Sequence, residues 1–276
     1  MALPPLVRPI ERGLAKTFAG HIHWRACGQG PAVMISHINQ QSSALMIELL
    51  QALAPNFRAI AIDYPSHGHS DHVSAQPSIE DYARCVIEVM DSLKIERAFA
   101  LGEAVGAGVS YALGANYKQR IDKVVAINTP WFEGGGRQDI ADIAKVRPSD
   151  SSGFPAPRSL EFVLANDPDH APIKPTQSWM DRINTAQLEV GRDRWQAVQA
   201  FSGFDRGHAG QAHLPRVDAL WREVHLRQIQ AAGAHRLPTR DARNRERRPL
   251  LHDMGACYRH RPPCTDFLLL TRSSRC

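Results

Sequence analysis

Nowhere in the 276 residues is there a run of about eighteen apolar side chains, the length a helix needs to cross a bilayer, so no membrane span or membrane partner is expected. The start, Met1 to Pro9, has neither a basic head nor an adequate apolar centre, and no signal peptide is expected there. Cysteine is scarce, with only five, at positions 27, 85, 257, 264 and 276. Their spacing fits no metal site or disulfide framework, so reduced thiols in a cytoplasmic protein without a metal or other cofactor are expected. Lysine is missing after Lys174, while arginine crowds the last fifth of the chain, from Arg236 to Arg275. The formal charge of +5 therefore has a local origin. Those arginines form no helical stripe and are not interleaved with aromatic rings, so solvated, poorly folded polypeptide is expected rather than a nucleic-acid partner.

What the chain does have is apolar residues: 43% of it is hydrophobic, enough for one large α/β domain with an insertion or for two small domains. Alternation over His21-Ile22-His23-Trp24-Arg25-Ala26 predicts a hairpin between Lys16 and Ala26. Short apolar runs at 32–36, 58–63, 98–101 and 123–128 predict buried strands. Between them, Leu45, Met46, Leu49, Leu50 and Leu53 recur at helical spacing within 42–53. Ser78 with Asp81 approximates a capping box ahead of Ile79, Tyr82, Val86, Val89, Met90 and Leu93. The segment Tyr64 to Asp71 is expected to be a polar loop. Strands alternating with helices predict a mostly parallel, doubly wound sheet over the first 130 residues. Residues 130–215 lose the alternation and are expected to form an inserted helical cap between the core of 1–129 and an atypical, disordered remainder at 216–276.

The most informative stretch is Gly102-Glu103-Ala104-Val105-Gly106, which follows an apolar run and precedes an Ala/Gly-rich helix. It has the form of a nucleophile elbow, Gly-x-Ser-x-Gly, in which small neighbours tolerate a strained turn that lifts one side chain above the sheet. The lifted residue here is Ala104, and a methyl group cannot attack a carbonyl.

Taken with Gly28-Gln29-Gly30-Pro31, the loop from Asp63 to Asp71, and Ser78-Ile79-Glu80-Asp81-Tyr82-Ala83, this stretch resembles the α/β-hydrolase superfamily over about residues 14–215. The resemblance implies the α/β-hydrolase fold and cofactor-free hydrolysis of a small ester, amide or carbon-carbon bond. It puts Ala104 at the nucleophile position and makes the amide of Val105 one oxyanion donor. The second would come from the loop His37-Ile38-Asn39-Gln40, through the amide of Ile38, where His37-Ile38 replaces the family's His-Gly pair. Backbone donors do not depend strictly on residue type, so the hole is expected to outlast the nucleophile.

Other candidates each have a plain alternative. Glu103 is either a base or a side chain turned aside to neighbouring loops. His37 either polarises a carbonyl or is satisfied by backbone. His67 and His69 either act in catalysis or serve turn structure, and Ser110 reads as core packing. Trp131, Phe132, Phe162, Trp179, Met180, Trp195 and Phe201 either line a substrate pocket or form the cap's own core.

The resemblance calls for an acid and a base beyond the cap, and neither is clear. His235, in Gly233-Ala234-His235, superficially matches the family's histidine loop but arrives too soon after Leu220 to leave room for the acid, a helix and a strand. The composition from about Trp221 onward fits a GC-rich coding sequence read out of frame. A Trp-Arg pair read one nucleotide later always encodes glycine, which is compatible with a Leu-x-Gly turn there. Without its last strand and helix, the sheet would expose an apolar edge, so poor solubility or a homodimer through that edge is expected. Two functions stay open: a hydrolase of unusual or impaired catalysis acting on a small molecule, and a non-catalytic protein that binds a ligand or partner in the same pocket.

Overall fold

The computed structural model describes residues 8–127, 151, 154, 156–161 and 176–204. β1 (Glu11–Thr17) and β2 (Gly20–Cys27) form the expected hairpin, with Glu11 opposite Ala26 and Thr17 opposite Gly20. β3 (Ala32–Ser36) and β4 (Arg58–Ile62) are almost wholly buried, because both of their faces are covered. β5 (Ala98–Glu103) and β6 (Ile121–Ile127) complete a six-stranded sheet in the order β1-β2-β4-β3-β5-β6. β4, β3, β5 and β6 run parallel, and β2 joins β4 antiparallel. Period-two alternation divides the core between the two faces: Met34, Ile60 and Val124 pack on one, and Ile35, Ala61 and Val125 on the other.

The helix expected over 42–53 begins as a 3-10 turn, Ser43–Met46, and becomes α1 only over Ile47–Leu53. Two polar groups tighten that first turn. Ser42 Oγ accepts from the Ala44 amide, and the Ser43 amide donates to Asp63 Oδ1 at 2.5 Å. α2 (Ile79–Ser92) has a full capping box: the Asp81 amide donates to Ser78 Oγ at 3.1 Å, and the Ser78 amide to Asp81 Oδ2 at 2.8 Å. α3 (Val105–Asn116) follows the elbow and is buried from Val105 through Leu113.

Thr176 caps α4 (Gln177–Val190), which passes through a 3-10 turn at Gly191–Trp195 into α5 (Gln196–Ser202). These helices lie within the expected cap but are tied closely to the sheet domain. Arg182 pairs with Glu48, His69 Nε2 lies 3.3 Å from Glu189, and His72 Nδ1 lies 3.1 Å from Asp193. α5 adds Ala197, Val198, Ala200 and Phe201 to the main core. The Ala/Gly content of α3 is what lets α5 approach: a Cβ at Gly108 would sit 2.5 Å from the Phe201 ring. Met180 is fully buried, Trp195 packs on the main core, and Trp179 packs with Leu45 and Ile183, so the described members of the aromatic set serve packing. Trp131, Phe132, Phe162, His235 and the arginine-rich segment lie outside the described residues.

Candidate functional site

β5 ends at Glu103, which pairs in register with Ile127 of β6, and the chain turns at Ala104 directly into α3. Ala104 has φ 52° and ψ −112°, a conformation that costs a residue with a Cβ on the order of 1–3 kcal/mol. The turn is held from both sides. The Ala104 amide donates to Ile127 O at 2.9 Å, and its carbonyl accepts from the Ala107 amide at 3.0 Å. Its tightness depends on two glycines, since a Cβ at Gly102 would fall on the Gly106 carbonyl and one at Gly106 on the Ser36 carbonyl. Gly106 therefore lets the end of β3 lie against the first turn of α3. The amides of Val105 and Gly106, ahead of the Ala107 bond to Ala104 O, have no intrahelical acceptor and form the positive end of the helix dipole.

The loop after β3 is organised by His37, which is completely buried. Its Nδ1 lies 2.6 Å from Ile38 O, an acceptor only, so Nδ1 carries the proton. Its Nε2 accepts the Tyr64 amide at 3.3 Å, and its carbonyl accepts the Tyr64 hydroxyl at 2.9 Å. Burial holds the ring below the usual histidine pKa, so it is neutral, with both nitrogens engaged by backbone.

Beside it, Asp63 is a buried hub. Oδ2 accepts His23 Nδ1–H at 2.9 Å and the His69 amide at 3.0 Å, while Oδ1 accepts the Ser43 amide. Arg25 Nη1 lies 3.9 Å from Oδ2 and donates to Ser43 Oγ at 2.5 Å. Burial alone would raise the Asp63 pKa; the His23 hydrogen bond, the neighbouring His37 and the hydrogen bonds from His69 and Ser43 outweigh it and hold the carboxylate well below its usual range. The segment 64–71, expected to be a polar loop, is largely interior: Tyr64, Ser66, His67 and Ser70 are buried because the chain wraps around this carboxylate. A Cβ at Gly68, where φ is 53°, would collide with Asp63.

This strand order, with a strained elbow between β5 and α3, coincides with a match of residues 31–156 to the α/β hydrolase fold family model. The chain has the α/β-hydrolase fold. Haloalkane dehalogenase 2 of Mycobacterium tuberculosis is 32% identical over 129 residues, 46% of this chain and 45% of that protein. The pimeloyl-[acyl-carrier protein] methyl ester esterase of Vibrio campbellii is 30% identical over 113 residues, 41% of this chain and 42% of that protein. The chain thus matches less than half the length of these curated relatives. Among solved structures, a hydrolase from Pseudomonas aeruginosa PA01 superposes with a TM-score of 0.57 at 22% identity, covering 71% of this chain and 74% of that one. An E-2-(acetamidomethylene)succinate hydrolase superposes with a TM-score of 0.54 at 22% identity, over 71% and 74% of the two chains. The superposition leaves about a quarter of each solved hydrolase uncovered.

Within this α/β-hydrolase fold, the structure brings together Ala104, Val105 and the loop of His37 and Ile38, because β3 and β5 are adjacent and Gly106 closes the gap between them. Glu103 is half-buried beside them. Ser110 is fully buried in α3, below the elbow. His69 is half exposed against Glu189. Sequence reasoning missed the buried trio of His23, Arg25 and Asp63. Its signal was there, because His23 and Arg25 are two apart on one strand and so share a face. A surface concavity lined by Asp91, Lys94, Ile95, Glu96, Arg97, Gln119 and Arg120 lies at the opposite, N-terminal end of β5, away from the elbow.

The buried histidines predict sensitivity to acid. His67 is fully buried, its Nδ1–H donates to Pro65 O at 2.9 Å, and Nε2 has no partner among the described residues. Burial, with the nearby His37, lowers its pKa to about 3. Only the unfolded chain takes up this proton near pH 6.5, so the native state holds its full stability above that pH and loses it on acidification, down to the folded pKa. Between pH 7.5 and 4.5, His67 alone is expected to remove about 3 kcal/mol. His37 adds a loss of the same sign, while Asp63 contributes only below about pH 4. Urea melts at the two pH values measure this, and equal midpoints would contradict it.

Proposed function

We propose that the chain derives from a cofactor-free hydrolase of a small ester, amide or carbon-carbon bond substrate and that its own catalysis is impaired at the elbow. The observation carrying this is Ala104: the turn keeps its strained φ of 52° and its pair of glycines, yet presents only a methyl group. A turn built at that conformational cost serves to lift a side chain, and the adjoining amides remain disposed to hold an oxyanion. The dehalogenase and esterase relatives support hydrolysis as the parent chemistry. In this reading Ala104 stands where the nucleophile acted, and Val105 and Ile38 supply oxyanion amides. Glu103 flanks the elbow, and the acid and base, His235 among the candidates, belong to the part beyond the described residues. The same methyl group favours a second reading, a pseudoenzyme that keeps the pocket and binds its small-molecule ligand without turnover.

Short acyl esters and a fluorophosphonate probe, applied to the chain as it stands, to Ala104→Ser, and to Ala104→Ser with residues from Trp221 re-encoded in the shifted frame, separate the readings. Turnover confined to serine variants supports an impaired hydrolase. Ligand binding without turnover in every variant supports the pseudoenzyme, and turnover by the unaltered chain that Ala104→Ser leaves unchanged overturns the role given to the elbow.

Among the described residues β6 pairs only with β5, and we propose a homodimer contact along its other edge. Sedimentation velocity is expected to show a dimer that dissociates when a proline replaces Ala126, whose N–H is on the side away from β5 because Ile127, next to it, faces β5; a monomer at all concentrations would contradict it.

A further inference from the structure

We infer that Tyr64 is a positioning residue for the amides of the loop after β3, a role that deepens the proposed function and rests on it. The hydroxyl of Tyr64 donates to His37 O at 2.9 Å, and its amide donates to His37 Nε2 at 3.3 Å. His37 passes the constraint one peptide further, its Nδ1–H donating to Ile38 O at 2.6 Å. Both peptides are trans, so fixing each carbonyl fixes the N–H on its opposite side. Tyr64 therefore sets the direction of the Ile38 amide, and through His37 that of the Asn39 amide, a second candidate donor within the same loop.

Tyr64 is well suited to this. It is fully buried, stacked on Tyr82 with ring centroids 4.7 Å apart and against His37 at 4.1 Å, so its own rotamer is held by packing. Burial also raises its pKa, keeping the hydroxyl protonated as a donor at any working pH. The His37 carbonyl that it holds would lie 2.9 Å from a Cβ at Gly106, so the fixed peptide abuts the first turn of α3. Tyr82 offers a matched comparison, since its hydroxyl is buried but makes no hydrogen bond among the described residues.

The test uses the full chain with Ala104→Cys, whose thiolate needs no partner base at pH 8.5. Acylation of that thiol by p-nitrophenyl acetate passes through an oxyanion: the sulfur attacks the acyl carbon, p-nitrophenolate leaves with the bond electrons, and the thiol proton goes to buffer. Alkylation by iodoacetamide displaces iodide and develops no oxyanion. Mass spectrometry of the peptide carrying position 104 follows each rate apart from the native cysteines.

Adding Tyr64→Phe is expected to lower the ratio of acylation to alkylation by about tenfold to a hundredfold, the scale of an ångström-size misplacement, while Tyr82→Phe leaves it unchanged. His37→Gln, which frees the same peptides from the other side, is expected to lower it as well and provides the test should Tyr64→Phe not fold. An unchanged ratio in both loop variants, or an equal fall with Tyr82→Phe, overturns the positioning role. A ratio in Ala104→Cys itself no higher than that of a small free thiol overturns the elbow reading beneath it.

Discussion

Gly106→Ala is expected to destabilise the protein by more than about 4 kcal/mol, a loss reserved for substitutions that force backbone apart. The new methyl would fall on the Ser36 carbonyl oxygen, 2.8 Å from Ser36 C and 2.9 Å from His37 O. All three atoms are main chain, so no rotamer change relieves the clash, and β3 must move away from α3. The strands concerned are central, with β3 paired to both β4 and β5, so the displacement disturbs two ladders at once. A comparison in the same protein isolates the cause. At Gly203 the nearest atom to a new Cβ is Ala200 O at 3.8 Å, and φ is −90°, so Gly203→Ala is expected to be neutral or to stabilise by about 0.5 kcal/mol. Thermal melts of both variants measure the contrast; similar midpoints would mean that β3 and the elbow are not packed this closely.

Asp63→Asn is expected to cost about 3–5 kcal/mol, the range for removing one partner of a buried ion pair. The substitution preserves shape and removes charge. It leaves Arg25, itself 6% exposed, without its counter-charge, and turns an amide N–H₂ toward donors on whichever side it occupies. Both carboxylate oxygens are committed, one to the Ser43 amide and one to His23 and the His69 amide, so neither side accepts a donor. The consequence reaches the site, because Asp63 precedes Tyr64 and anchors the segment that holds His37. Replacing Asp71, whose pairing with His21 is solvent-exposed on both sides, is expected to leave the midpoint unchanged. Denaturant titration of the two variants decides; a mild effect at Asp63 would mean that His23 and Arg25 repartner without it.

Much of the architecture was legible from local pattern. The strands at 32–36 and 58–62 follow from uninterrupted apolar runs, α2 from a capping box with a stripe at helical spacing, and the elbow from two glycines four residues apart. Each of these signals lies within a single element, where side-chain period and backbone freedom depend on neighbours along the chain. The segment 64–71 is the polar loop that was expected, but its burial was not legible, for the converse reason. Polar residues suggest solvent until the partners that satisfy them are known, and here most are main-chain groups: the Ser70 hydroxyl donates to Asp63 O, His67 Nδ1–H to Pro65 O, and Ser66 Oγ accepts from the Val73 amide, while the His69 amide donates to Asp63 Oδ2. The aromatic residues of α4 and α5 raised the same difficulty, since an apolar ring fills a pocket or a core equally well, and only the approach of α5 to Gly108 assigns Phe201 to the core.

The sequence by itself determined that the sheet is mostly parallel, that a tight strand-to-helix turn falls at Ala104, and that no hydroxyl or thiol stands there. These are properties of composition and spacing, which folding cannot alter. Only the tertiary structure decided that His37 is neutral and fully engaged, that Asp63 gathers His23, Arg25 and the loop amides, and that Tyr64 holds the peptides beside the elbow. Those facts depend on hydrogen bonds between segments up to forty residues apart along the chain, as from His23 to Asp63, and such bonds leave no periodic trace in the sequence.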